Sequence, residues 1–240
     1  MKTLCLDFGN TRMKVAIFEN GNFIDAFVLN GDGIDQIKGL LQEHQPDKSI
    51  LSSVIHHDPA INELLSSSTS FHLLSHLTKL NFTVPVGKPE TVGADRLALS
   101  AAVVHFYPGK NNLVVGLGSC VTYNFINKYN QFLGGSISPG LEMRFRALHE
   151  QTALLPLIEK DWNFPLVGYD TKTNLLSGVI MGMAKEIEGI VEEYEKKYSN
   201  FNVVLTGGDC TYFERLLKKK IFADPNLLYK GLYAISETNS

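Results

Sequence analysis

Apolar and polar residues alternate in short bursts over the first thirty positions, and the alternation predicts three strands in quick succession, residues 3–8, 13–18 and 22–29. Gly9-Asn10 punctuates the first pair. Asn20-Gly21 punctuates the second and is a strong hairpin signal, because both residue types tolerate the left-handed backbone of a tight turn. Ile34, Ile37, Leu40 and Leu41 then recur at spacings of three and four, as on one face of a helix, and residues 49–54 read as a buried strand. Residues 59–80 are rich in Ser and His and weakly periodic; short helices and loops around one strand at 71–74 are expected there. A helix over 94–106 is stopped by Pro108-Gly109.

The pattern then starts again. Strands are expected at 112–117, 121–126 and 132–136, with turns at Gly118-Ser119 and Tyr129-Asn130. Adding 109 to each residue number lays the opening over this stretch: Asp7 to Asn10 meet Gly116 to Ser119, Ile17 meets Ile126 and Phe23 meets Phe132, with no insertion needed. A long amphipathic helix over 173–197, a strand over 202–205 and a helix over 210–220 complete the second copy. Both halves read βββαβα, which predicts a duplicated α/β fold with subdomains at 1–107 and 108–240. Two such units side by side would set the glycine turns after their first strands on opposite walls of one cleft, where a nucleotide would sit.

Composition narrows the partners. The chain has 240 residues, 44% hydrophobic and 20% charged, which suits a chain with a sizeable core and excludes disordered and fibrous classes. A formal net charge of −3 gives no electrostatic reason to expect nucleic acid or an anionic membrane as partner; small solutes are favoured. Cys5, Cys120 and Cys210 are too far apart for a disulfide framework or a CxxC metal site. An acid at position 7 interrupts any signal-peptide core, and apolar runs are too short for a membrane span, so a cytoplasmic protein is expected. The seven histidines show no HExxH spacing, and only His72 and His76, four apart, hint at a metal pair.

The turn Asp7-Phe8-Gly9-Asn10-Thr11 follows a buried strand, and its glycine and small polar residues let backbone N–H groups and hydroxyls approach a phosphate. Asp7 is placed to hold magnesium through water, and Lys14 to reach the same phosphates from the next strand. Neither a P-loop nor a complete GxGxxG is present. Gly93-Ala94-Asp95-Arg96 opens a helix. Asp95 and Arg96 there are explained either by the helix dipole and solvation or as a base and an anion clamp facing a cleft. Thr206-Gly207-Gly208-Asp209 is a strand-to-helix turn that lets a flat ligand lie on backbone, or a plain tight loop. Gly168-Tyr169-Asp170-Thr171 precedes the long helix, with Thr171 or Thr173 as expected N-cap. Lys218-Lys219-Lys220 suits a helix C-terminus.

Five ordered motifs, residues 7–11, 91–96, 134–141, 168–171 with Gly178, and 206–208, resemble the type III pantothenate kinase family over nearly the whole chain. The resemblance implies the actin-like ATPase (ASKHA) fold and ATP-dependent phosphorylation of pantothenate in coenzyme A biosynthesis by a homodimer. Carried over by position, it implies that Asp7, Phe8, Gly9, Asn10, Thr11, Arg12, Met13, Lys14 and Ser119 bind ATP with magnesium. Gly93, Ala94, Asp95, Arg96 and Thr171 would hold pantothenate, with Asp95 as general base. A monovalent cation, potassium or ammonium, is also implied.

The chain departs from the family pattern at three places. Gly116 stands where an acid of a second DxGT motif usually serves the monovalent cation, Asn124 where an acid is common, and Val86 where a tyrosine often lines the substrate pocket. These departures leave two other readings open: a non-catalytic nucleotide-binding relative acting through a partner, and an actin-fold kinase of another small hydroxylated substrate.

Overall fold

The computed structural model describes residues 1–30, 33–219 and 221–239. The chain forms two compact units, one of Met1–Gly109, Tyr129–Leu133 and Asn226–Ser240, the other of Lys110–Lys128 and Gly134–Pro225.

The first unit is built on a five-stranded sheet. Its strands are β1 (Lys2–Phe8), β2 (Met13–Glu19), β3 (Asn22–Leu29), β4 (Lys48–Ser53) and β5 (Ser70–Leu73), in the order β3-β2-β1-β4-β5. β1 pairs antiparallel with β2 and parallel with β4, so its residues Thr3 to Leu6 are all buried and the strand reads as a continuous apolar run. β3, on the sheet edge, is mostly exposed. Between β2 and β3, Asn20 (φ 50°) and Gly21 (φ 85°) both take the left-handed backbone of the two-residue hairpin turn. Helices α1 (Ile34–His44), α2 (Pro59–Ser68) and α3 (Ala94–Phe106) follow, with a 3₁₀ turn at Pro89–Thr91 ahead of α3. α3 matches its expected span, while the 59–80 stretch resolves into α2 and β5. Helix α7 (Leu227–Ser236), which the sequence pattern had not signalled, packs on α3 so closely that a Cβ on Gly231 would lie 1.9 Å from the Ala98 carbonyl oxygen.

The second unit repeats the plan. Strands β6 (Asn111–Leu117), β7 (Cys120–Ile126), β8 (Phe132–Pro139), β9 (Phe201–Thr206) and β10 (Phe222–Ala223) take the order β10-β9-β6-β7-β8. Helices α4 (Leu141–Glu150), α5 (Thr171–Lys197) and α6 (Cys210–Leu216) complete it. α6 stops short of the expected end at residue 220, and Lys220 of the expected lysine cap lies outside the described residues. α4 had no sequence signal, because its N-cap is Gly140, which has no side chain to cap with. The N-cap of α5 is Asp170 rather than Thr171 or Thr173: its carboxylate accepts from the Thr173 N–H, and the Thr173 hydroxyl bonds back, forming a capping box. Leu176, Ile180, Met183, Ile187 and Val191 line the buried face of α5 against β6, β7 and α6.

The duplication holds, with one correction. β1 and β6 superpose at the offset of 109, but Asp7 faces Lys14 across its hairpin while Gly116 faces Thr122. The second turn is one residue shorter, closed by Gly118 N–H to Cys120 O rather than Gly9 N–H to Arg12 O, each 3.1 Å. Ile17 therefore corresponds to Phe125, not Ile126: Leu4 pairs with the first and Leu113 with the second.

Candidate active site

In the first unit, the end of β1, the turn after it and the start of α3 gather most of the chemistry read from the sequence. Phe8 is buried in the core, so it offers a ligand backbone only. Gly9 closes the turn, Asn10, Thr11 and Arg12 are exposed, and Met13 and Lys14 begin β2 half-buried. Residues 9–13 line a cavity of ≈ 450 Å³, with Val28, Leu29, Asn30 and Ile55 forming the rest of its wall.

Asp7 lies behind this turn. Burial, and after it the negative charge of Asp95, push its carboxyl up to about 7, against the opposing pull of Lys14. Ser52 stands in register with Asp7 on β4. Its buried hydroxyl forms no hydrogen bond of normal geometry, so it favours the carboxylate only as a nearby dipole. Asp95, in the first turn of α3, is also raised by burial, and is opposed by the Arg96 N–H, the Arg96 guanidinium and its own N–H. Burial lowers the Arg96 pKa and Asp95 opposes that shift, while the guanidinium lies 5.4 Å from the centre of the Phe132 ring. A Cβ on Gly93 would meet Asp95 Oδ1 at 2.5 Å, so glycine at this position leaves the carboxyl free to keep its present direction. Ala94 is buried, so Gly93 to Arg96 present backbone, one carboxyl and one guanidinium. Ser52 escaped the sequence reading; its only signal was the Ser52-Ser53 pair ending an apolar strand.

In the second unit, Gly116 lies within β6 and leaves its turn without a carboxylate. Ser119, half-buried, keeps a hydroxyl there. Asn124 is wholly buried and donates to Thr122 Oγ1 on its own strand at 3.1 Å and to Val114 O on β6, a structural use in the β6–β7 hairpin. Thr206 ends β9, and Gly207 (φ 98°) brings the following turn so close to β6 that a Cβ would lie 2.2 Å from Leu117 O. Asp209 after it accepts from Lys160 Nζ at 2.7 Å. Thr171 is exposed at the start of α5. Val86 is half-buried in the first unit. His72 Nε2 is 2.8 Å from Thr78 Oγ1, and among the described residues no cluster of three His, Cys, Asp or Glu side chains is built to hold a metal. No helix among the described residues is long and apolar enough to cross a membrane.

A duplicated five-stranded unit with a glycine turn after each first strand is the architecture of the actin-like ATPase fold. Solved structures agree on the fold. A Baf family protein from Campylobacter jejuni matches with TM-score 0.63 and 21% identity, covering 98% of both chains. A glucokinase from an Antarctic psychrotroph matches with TM-score 0.51 and 9% identity, covering 99% of both. At these identities the likeness shows the fold alone. Sequence is more specific: the sequence model of the type III pantothenate kinase family matches residues 3–193. Proteins named type III pantothenate kinase are 40% identical in Christiangramia forsetii, over 98% of both chains, and 36% identical in Flavobacterium johnsoniae, over 95% of both. The chain belongs to the type III pantothenate kinase family.

Proposed function

We propose that the protein transfers the γ-phosphoryl group of ATP to the primary hydroxyl of pantothenate, giving 4′-phosphopantothenate and ADP, the first step of coenzyme A biosynthesis. The observation that carries this reading is the pair of half-buried, interacting carboxyls, Asp7 and Asp95, beside one glycine turn in a chain of this family. Asp95 is the general base: its carboxylate takes the hydroxyl proton as the oxygen attacks the γ-phosphorus and ADP leaves. A base raised by burial holds that proton more readily than a solvated carboxylate, and the N–H groups at the start of α3 fix its direction. Residues 9–13 and Lys14 bind the ATP phosphates, with Ser119 offering a hydroxyl from the corresponding turn of its own unit. Arg96 neutralises the pantothenate carboxylate or a neighbouring phosphate, and Gly93, Ala94 and Thr171 complete substrate binding.

A hard divalent cation suits the oxygens present. Half-buried Asp7 and the unsatisfied, buried Ser52 hydroxyl stand side by side on β1 and β4, and magnesium takes one or two carboxylates plus phosphate oxygens. Bound there, magnesium would neutralise charge on the transferring phosphoryl group. No side chain at position 116 can hold a monovalent cation, so dependence on potassium or ammonium is reduced or rests on backbone carbonyls. Use of ATP argues for the cytoplasm. A homodimer is supported by exposed apolar side chains in the second unit, among them Leu154 (92% exposed), Val167 (80%) and Tyr169 (81%).

The test is ADP release with pantothenate and magnesium-ATP, wild type beside Asp95→Asn. Turnover confined to wild type is expected; equal turnover removes Asp95 from the role. Gly116 favours one second reading, a relative that binds nucleotide without turnover. ATP that raises the melting temperature while no ADP is released would identify it.

A further inference from the structure

The segment following β4 is held by polar contacts that neither the core nor the proposed chemistry uses. Ser53, in register with Phe8, donates its hydroxyl to Ile55 O at 2.9 Å, and its Oγ lies 3.1 Å from His57 Nδ1. With the Ser53 proton directed to Ile55, His57 Nδ1 is the donor of that second contact. His57 Nε2, the ring's acceptor once Nδ1 donates, lies 3.0 Å from the side-chain amide of Asn62 on α2, which meets it with its NH2 turned to the ring. Asp58 is the N-cap of α2, its carboxylate accepting from Ala60 N–H. His57 and Asn62 therefore occupy the positions just before the cap and four into the helix, where many helices carry an apolar staple. Here a polar contact takes the place of the staple and fixes the imidazole together with the incoming chain.

The segment so fixed reaches both parts of the site in the first unit. Val54 N–H donates to Phe8 O at 3.0 Å, and the His57 ring meets the Phe8 ring edge-on, 5.3 Å between centres at 83°. Ile55 walls the cavity formed with residues 9–13. Val54 Cγ1 lies 3.8 Å from where a Cβ on Gly93 would sit, beside the cap of the Asp95 helix. A displacement of residues 53–57 is therefore felt by the phosphate turn and by the helix that carries the base.

We propose that His57 is a positioning residue for phosphoryl transfer: the Ser53–His57–Asn62 relay holds residues 53–55 so that the phosphate turn and Asp95 keep their productive placement. This rests on the function proposed above, and the test separates the two. His57→Phe keeps a ring against Phe8 and removes both polar contacts, whereas His57→Gln keeps a donor and an acceptor. Measured quantities are kcat and KM for ATP, and hydrogen exchange at the amides of residues 9–13. His57→Phe is expected to lose roughly tenfold in kcat, with a smaller change in KM, and to exchange faster in the turn, while His57→Gln recovers most of both. Ser53→Ala should reproduce the loss from the other end of the relay if His57→Phe does not fold. Wild-type turn exchange and kcat within twofold in His57→Phe, or equal losses in the Phe and Gln variants, would overturn the proposal. If wild type does not phosphorylate pantothenate, the functional reading fails while exchange in the turn still decides the relay.

Discussion

The two hairpins that open the two units share one plan and differ where chemistry is concentrated. In the first, the strand carries near its end a half-buried acid whose partner across the sheet is Lys14, and the turn runs one residue longer. In the second, the same strand position is Gly116, its partner is Thr122, and the shorter turn carries Ser119. Both turns close through one N–H bond of 3.1 Å, so the manner of closure is kept while turn length and charge are not. One copy holds carboxyls at an electrostatic cost in the free protein; the other has shed that cost and the means to hold a cation by a side chain.

The comparison is sharpened most strongly by removing the base. Asp95→Asn should lower kcat by roughly 10²–10⁴-fold with the fold intact, read by ADP release and melting temperature. Asp7→Asn should also cripple turnover, but it should stabilise the free protein at alkaline pH. The sign follows from the raised pKa: a carboxyl moved from 3.8 to about 7 by folding contributes stability that is present below 3.8 and lost as pH rises through about 7. The free wild type should therefore lose stability relative to Asp7→Asn across that interval, by at most about 1.4 kcal/mol per pH unit, as paired denaturant titrations at pH 5 and 8 would measure. A parallel response of the two proteins would mean that Asp7 is not held neutral by its surroundings.

Backbone constraint in the second unit predicts the next effect. Gly207→Ala forces a side chain into a left-handed position 2.2 Å from Leu117 O and should destabilise by about 2–4 kcal/mol in urea melts, whatever the ligand. Gly116→Asp restores an acid to the second hairpin and should raise potassium dependence severalfold. An unchanged cation profile would show that position 116 no longer organises a cation. Val86→Tyr is the mildest change, expected to lower KM for pantothenate a fewfold through one added hydrogen bond.

Much of this was legible in the residues. Asn20-Gly21 set one hairpin, the apolar alternation set the strands, and the bounds of α3 followed from its periodicity and from Pro108. The extra residue of the first turn was not legible, because glycines align well at a constant offset while register is decided by which N–H meets which carbonyl. α7 went unread: its closeness to α3 depends on Gly231 meeting Ala98, far apart in sequence. At the site, Asp7, the turn, Asp95 and Arg96 were readable as motifs, whereas Ser52 and His57 act through contacts that only the folded sheet and the α2 cap create. His57 also carried no spacing that would mark it among seven histidines.

The most direct test is a coupled ADP-release assay with pantothenate and magnesium-ATP, with and without potassium, on wild type beside Asp95→Asn. The account expects turnover in wild type alone, with potassium adding little because Gly116 offers no carboxylate. No turnover in wild type, or turnover that survives in Asp95→Asn, would contradict it.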